Sequence, residues 1–331
     1  MMQNESISPS AGLRPADLNV DVHLHVCGRN ARAEGVGWRA RWNHFWFRRT
    51  TPHILALFRI AFGGFLFVYF ALQLPHVDMF FSNRGLLIPE LTPDSVWTVI
   101  FTPPPLWAAE TIFVAFLAFL ALFTLGALTR VSSAVSFVLY VYYWILTLFQ
   151  FGTSFDRLFL FSLLVLIFSG CGKAFSVDMR IKHGSWLAWE PISILAQRLL
   201  AVQVSATYLG VGWLKIVFPS WQTGKVLAVS FISRWATPPA WWIARLNIPL
   251  VYYDWMTSLI KLFEVTIPFG LWNRRTQWWY FAGGALFHIG IAILLDIWWF
   301  IPLIPAYILF LEPERVTKAL QKIGVSDVSA P

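Results

Sequence analysis

Apolar residues run along this chain in long stretches broken by short polar or Pro- and Gly-containing links. About 20 consecutive apolar residues cross a bilayer as a helix, and on that criterion the pattern predicts eight spans. They fall at 53–73, 107–128, 131–150, 155–170, 197–218, 255–272, 277–295 and 297–311. The fourth is short, and the last two are nearly continuous. The predicted fold is therefore an all-α integral membrane protein, a polytopic bundle of about eight transmembrane helices. Two longer links interrupt it. The link 74–106 is Pro-rich and reads as a lid or an interfacial element. The link 219–254 carries Trp221, Trp235, Trp241 and Trp242, rings that suit the headgroup layer and predict short interfacial helices.

Composition narrows the class. Of 331 residues, 57% are hydrophobic and only 13% charged, with 19 Trp and 30 Phe, too apolar for a soluble domain of this size. Three regions follow: a basic tail over 1–50, the transmembrane domain over 51–312 and a polar tail over 313–331. The stretch GWRARWNHFWFRR closing the first region reads as a segment lying on the membrane surface. The final tail is expected to fray. Without a cleavable leader pattern, the first span is expected to direct insertion.

Basic residues orient the bundle. Links on the same side as the N-terminus hold sixteen Lys and Arg, against four on the other side. Cytoplasmic links are the basic ones, so both termini are placed in the cytoplasm, and the net charge of +8 suits an anionic inner leaflet. The natural partner is the lipid bilayer. Nucleic-acid binding is not suggested, and neither is a metal: His23, His25 and Cys27 lack a fourth ligand at a familiar spacing.

Charges inside apolar helices are the candidate chemistry, since an ammonium at mid-membrane costs about 2.5–3.5 kcal/mol on insertion scales. Lys215 stands near the end of the helix that Pro219 terminates. It reads either as an interfacial side chain extending to the headgroups or as a functional amine, with Gly210 and Gly212 permitting close approach of a helix or ligand. Arg59 extends inward to headgroups or pairs with another helix. Asp156 and Arg157 are adjacent and so must find separate partners. Lys261 and Glu264, three apart, read as a mutually neutralising pair on one helix face. His288 reads first as a hydrogen-bonded core residue, and Asp296 closes its helix. The link GCGKAFSVDMRIKHGSW reads as an ordinary solvated loop. With the topology above, Asp156, Arg157, Lys215, Lys261, Glu264, His288 and Asp296 share the outer half of the membrane. A one-sided set of this kind reads as a supporting polar layer around an outward-facing cavity; a charge-paired core that fixes packing is the competing account. A desolvated lysine in such a cavity serves as a general base.

Several segments resemble, in order, the vitamin K-dependent gamma-carboxylase-like membrane domain, also called the horizontally transferred transmembrane (HTTM) domain. They are LFRIAFG, Asn83-Arg84-Gly85-Leu86, TLGALTRVS, FSVD, Gly212-x-x-Lys215 followed by Trp221-x-x-Gly224, and Phe287-His288. The likeness covers about residues 50–311. It implies a bacterial cytoplasmic-membrane protein with a lyase-type carboxylase chemistry. Reduced vitamin K or another quinol would be deprotonated by Lys215, His288 would match a family histidine, and Tyr208, Gly212, Trp213 and Trp221 would border the quinone. An exported polypeptide would be the substrate. The chain differs from that family in carrying Asp156 and Arg157 where a histidine is expected, and in lacking a large lumenal domain, so propeptide-directed carboxylation is not expected of these 331 residues. The alternative function is a noncatalytic subunit or scaffold that packs against other membrane-protein subunits.

Overall fold

The computed structural model describes residues 37–86, 102–147 and 154–327, so the His23, His25 and Cys27 group and much of the Pro-rich link lie outside the described residues. The chain divides into two units, 1–44 and 45–331. In the first, the described residues open helix α1 (Trp38–Phe47), where the exposed rings of Trp38 and Trp42 meet edge to face at 6.2 Å.

The second unit is mostly helical. Its long helices are α2 (His53–Ala71), α4 (Leu106–Leu125), α5 (Thr129–Thr147), α6 (Ser154–Phe168), α8 (Leu195–Val217), α11 (Leu250–Trp272) and α12 (Gln277–Leu295), with the short α3 (Val77–Phe81) between the first two. Shorter helices α7 (Val177–His183), α9 (Lys225–Ser230), α10 (Pro238–Arg245), α13 (Leu303–Ala306) and α14 (Pro313–Lys322) fill the links. Strands β1 (Arg49–Thr50) and β2 (Ile192–Ser193) make one short antiparallel pair, Arg49 opposite Ser193. Four helical segments are long and apolar enough to cross a membrane: His53–Phe81, Leu106–Leu125, Leu195–Val217 and Gln277–Leu295. That length and composition are those of a membrane protein.

The largest helix interfaces pair α2 with α4, α4 with α5, α5 with α6, and α8 with α11. Along α2 the buried positions Phe58, Phe62, Leu66 and Phe70 recur every four residues, so one stripe faces inward. Aromatic rings fill that interior: Phe58 stacks on Phe62 at 5.4 Å, and Phe70 meets Phe116 edge to face at 4.7 Å.

A polar joint locks one end of the bundle. Arg59 is fully buried and donates Nη1 to the Cys171 carbonyl at 2.9 Å and Nη2 to the Phe175 carbonyl at 2.5 Å. It thus pairs with backbone rather than reaching headgroups. Gly126 ends α4 with φ 71°, and its carbonyl accepts from the Asp178 amide at 3.0 Å. Asp178 in turn caps α5, accepting from the Leu128 and Thr129 amides at 2.7 and 2.8 Å. The link after α6 is therefore no ordinary solvated loop: Cys171, Ala174, Ser176 and Met179 are buried because it must deliver these carbonyls and the cap.

The described part of the polar tail, 313–327, is also docked rather than frayed. His53 is enclosed between the rings of Phe175 and Trp189, and both ring nitrogens are met at 2.8 Å, by the hydroxyls of Thr317 and Ser326. Arg48 adds ion pairs to Glu312 and Glu314 at 3.2 and 3.0 Å.

Candidate functional site

The site grows from the last two turns of α8. Pro219 cannot continue the helix, so Phe218 leaves it in extended conformation, and a single turn, Pro219–Trp221, folds back. Lys215 sits in the final turn, where the carbonyl end of the helix dipole favours a cation. Three residues earlier, Gly212 faces α11. A β-carbon there would stand 2.9 Å from Val265 Cγ2 and 3.3 Å from Glu264 Cβ, so the missing side chain is what lets α11 approach. That approach brings the Glu264 carboxylate into an ion pair with Lys215 Nζ. Gly210 has no such task, since nothing lies within 4 Å of its would-be β-carbon.

The Lys261–Glu264 pairing expected from their spacing does not form. Glu264 turns to Lys215, and Lys261 Nζ donates to the Trp221 carbonyl at 3.2 Å. The reason is tertiary: Glu264 is buried in the α8–α11 interface, where Lys215 is the cation at hand. Trp221 serves both lysines, its carbonyl for Lys261 and its ring for Lys215, whose Nζ lies 4.7 Å from the ring centroid. The backbone amide of Gly224 donates to Asp254 Oδ1 at 2.5 Å, and a side chain at Gly224 would collide with the Tyr253 backbone. The Trp221-x-x-Gly224 pattern is thus a clamp holding the Trp221 turn on α11.

A second polar chain adjoins the pair. His288 Nε2 lies 2.5 Å from the Tyr208 hydroxyl, which is 2.6 Å from the Tyr307 hydroxyl. Tyr208 is two turns before Lys215 on α8, and Gly284, one turn before His288, leaves space that the Tyr307 ring occupies. Lys215 and His288 are close enough to interact electrostatically, as are Tyr208 and Glu264. Two buried atoms of this cluster, Glu264 Oε2 and His288 Nδ1, have no hydrogen-bond partner among the described residues.

The seven expected members of the polar layer are not one group. Lys215, Lys261, Glu264 and His288 come together because α8 packs on α11 and α11 on α12. Asp156 accepts instead from the Tyr140 hydroxyl at 2.8 Å, in a separate pocket at the start of α6. Arg157 and Asp296 are exposed, the latter ending α12 at φ 46°. Among the residues expected to border a cofactor, Tyr208, Gly212 and Trp221 meet the Lys215 cluster, whereas Trp213 is 62% exposed on the outer side of α8. Tyr307 escaped the sequence reading, since one tyrosine in the apolar run IPLIPAYILF carries no signal of its own. A cavity of about 490 Å³ lies between α11 and α12. It is lined by Phe263, Phe287 and other apolar side chains, and Glu264 and His288 are not among its lining residues. Among the described residues no three His, Cys, Asp or Glu side chains converge to hold a metal.

Chemically, the Lys215–Glu264 pair holds one proton between an amine and a carboxylate, and a second proton can be taken up to leave ammonium and carboxylic acid. The Tyr307–Tyr208–His288 chain is built of groups that both donate and accept.

No family model, curated protein or solved structure matches the chain.

Proposed function

We propose that this chain is an integral membrane enzyme of the gamma-carboxylase-like kind, with eight spans and both termini in the bacterial cytoplasm. The Lys215–Glu264 pair accepts a proton from the acidic hydroxyl of a quinol, and an exported polypeptide is the downstream substrate. The reading rests on one observation: a half-buried lysine paired with a buried glutamate beside a histidine and two tyrosine hydroxyls, with an oxygen of the pair left unpartnered among the described residues. Acid–base side chains gathered within hydrogen-bond reach of one another are what proton-transfer chemistry requires. The ordered sequence likeness to the carboxylase-like family supplies the reaction class. Proton uptake by the pair leaves a quinolate, and oxidation of that anion needs an oxidant of the oxygen class from solution. The apolar cavity between α11 and α12 is lined by neither member of the pair, so it supports lipid or isoprenoid contact but not ring placement.

A second reading, a noncatalytic subunit, is favoured by the completeness of the Lys215 environment: a carboxylate and an aromatic ring already satisfy it. Mass spectrometry of material copurifying in mild detergent separates the two, comparing the native chain with Lys215→Met and with Lys215→Met/Glu264→Leu. A quinone bound to the native chain, with a polypeptide modified only in its presence, supports the enzyme. Stoichiometric membrane-protein partners, unchanged in the double variant and with no small molecule, make the pair structural.

A further inference from the structure

A polar pocket of about 420 Å³ lies where the start of α5, the end of α6, the link after it and α7 meet. Its lining includes three cations, Arg130, Lys173 and Lys182, and two carboxylates, Asp178 and Glu190. Both carboxylates are already occupied. The Asp178 oxygens accept from the Leu128 amide, the Thr129 amide and the Thr129 hydroxyl at 2.7, 2.8 and 2.6 Å. Glu190 meets Lys182 and His183 on Oε1 and Lys173 on Oε2. The donors are left in surplus. Each ammonium has three N–H groups and turns one of them to Glu190. The Arg130 guanidinium has five; it makes no hydrogen bond or ion pair among the described residues and lies 6.0 Å from the Phe168 ring centroid.

We propose that this pocket binds a phosphate group. Phosphate concentrates negative charge and strong acceptor oxygens in a small volume, which answers a lining whose cations outnumber its carboxylates and whose acceptors are taken. The planar fork of Arg130 is suited to two phosphate oxygens at once, and the ammoniums of Lys173 and Lys182 add point charges. A metal ion fits poorly, because it would need the carboxylate oxygens that the α5 amides and the two lysines hold. Phe168, which ends the apolar helix α6, is 71% exposed. In a membrane protein that ring meets hydrocarbon, so the cations beside it stand near the level of lipid phosphates, where basic pockets between helices hold anionic headgroups. Two sources share this chemistry, the headgroup of an anionic phospholipid and free inorganic phosphate.

The test uses the full chain in a nonionic detergent, with binding read by scintillation proximity. Radiolabelled dioctanoyl-phosphatidylglycerol and radiolabelled inorganic phosphate are titrated separately, and unlabelled dioctanoylglycerol, which lacks the phosphate, is the competitor. The expected result is saturable binding of a phosphate-bearing probe that dioctanoylglycerol does not displace. Affinity should fall about tenfold in Arg130→Gln and in Lys173→Gln and stay unchanged in Lys318→Gln, an exposed cation on α14. Arg130 is exposed and carries no hydrogen bond from its side chain among the described residues, so its variant keeps the test decisive where Lys173→Gln fails to fold. Saturable binding of the lipid without binding of inorganic phosphate assigns the headgroup, and saturable binding of inorganic phosphate assigns the free ion. Absence of saturable binding by both probes, displacement by dioctanoylglycerol, unchanged affinity in the folded Arg130 variant, or an equal loss in Lys318→Gln overturns the proposal.

Discussion

Replacing Lys215 by methionine keeps most of the length of the side chain and removes its charge. Glu264, whose side chain is 5% exposed, is then left as a buried carboxylate without its cation. Breaking a buried ion pair from one side costs about 3–5 kcal/mol, and losing the cation over the Trp221 ring adds about 0.5–2 kcal/mol. The reverse change, Glu264→Leu, costs less. Lys215 is 15% exposed and one turn from the helix end, so its amine has a route to the interface. The double variant removes both charges from an interface that Gly212 already holds closed, and an apolar replacement of a whole buried pair is commonly neutral or stabilising by about 1–4 kcal/mol. The measurement is reversible unfolding of the four proteins in mixed detergent, followed by far-ultraviolet circular dichroism and analysed as a double-mutant cycle. A large coupling with the order Lys215→Met below Glu264→Leu below the double variant is expected. Additive effects, with coupling below about 0.5 kcal/mol, would refute the claim that the two charges compensate each other. The cycle also makes the double variant the right control for function, since it separates loss of chemistry from loss of fold.

Gly224→Ala forces a β-carbon against the Tyr253 backbone and is expected to lower the melting temperature. Gly210→Ala meets nothing within 4 Å and should instead raise helix stability by about 1 kcal/mol; paired thermal scans check the contrast. Thr317→Val removes a hydroxyl from a ring nitrogen of the buried His53 and should cost about 1–3 kcal/mol, seen as faster limited proteolysis of the released C-terminal tail. Lys182, His183 and Lys173 gather on Glu190 and hold its carboxyl down from 4.5 to about 2. A depressed carboxylate contributes stability above its unfolded value and loses it as pH falls through the folded one. Melting temperature should therefore drop for the native chain between about pH 4.5 and pH 2, and Glu190→Gln should flatten that part of the profile.

Helices were legible in this sequence because hydrocarbon leaves a chain no other way to satisfy its backbone, and apolar runs of the right length announce them. Helix α2 at 53–71, α4 at 106–125, α8 at 195–217 and α12 at 277–295 sit within a few residues of the expected spans. Lys215 also stood out, for a charge in such a run is costly wherever it points. Its partner did not. Spacing along α11 suggested that Lys261 neutralises Glu264, because sequence distance ranks neighbours on the same helix and says nothing about the helix opposite. Only the packing of α8 on α11, closed at Gly212, selects Lys215 over Lys261.

Likewise the segments LFRIAFG, TLGALTRVS and FSVD, far apart in the chain, turned out to be one joint in which Arg59 satisfies the Cys171 and Phe175 carbonyls while Asp178 satisfies the Gly126 carbonyl and the first amides of α5. The sequence by itself determined which stretches must be helical and which residues are expensive to bury. The tertiary structure decided who compensates whom, since rotation about each helix axis is set by side chains on its neighbours. That is why Asp156 ends beside Tyr140, Trp213 faces outward, and Tyr307 completes a hydrogen-bonded chain that no local pattern foretold.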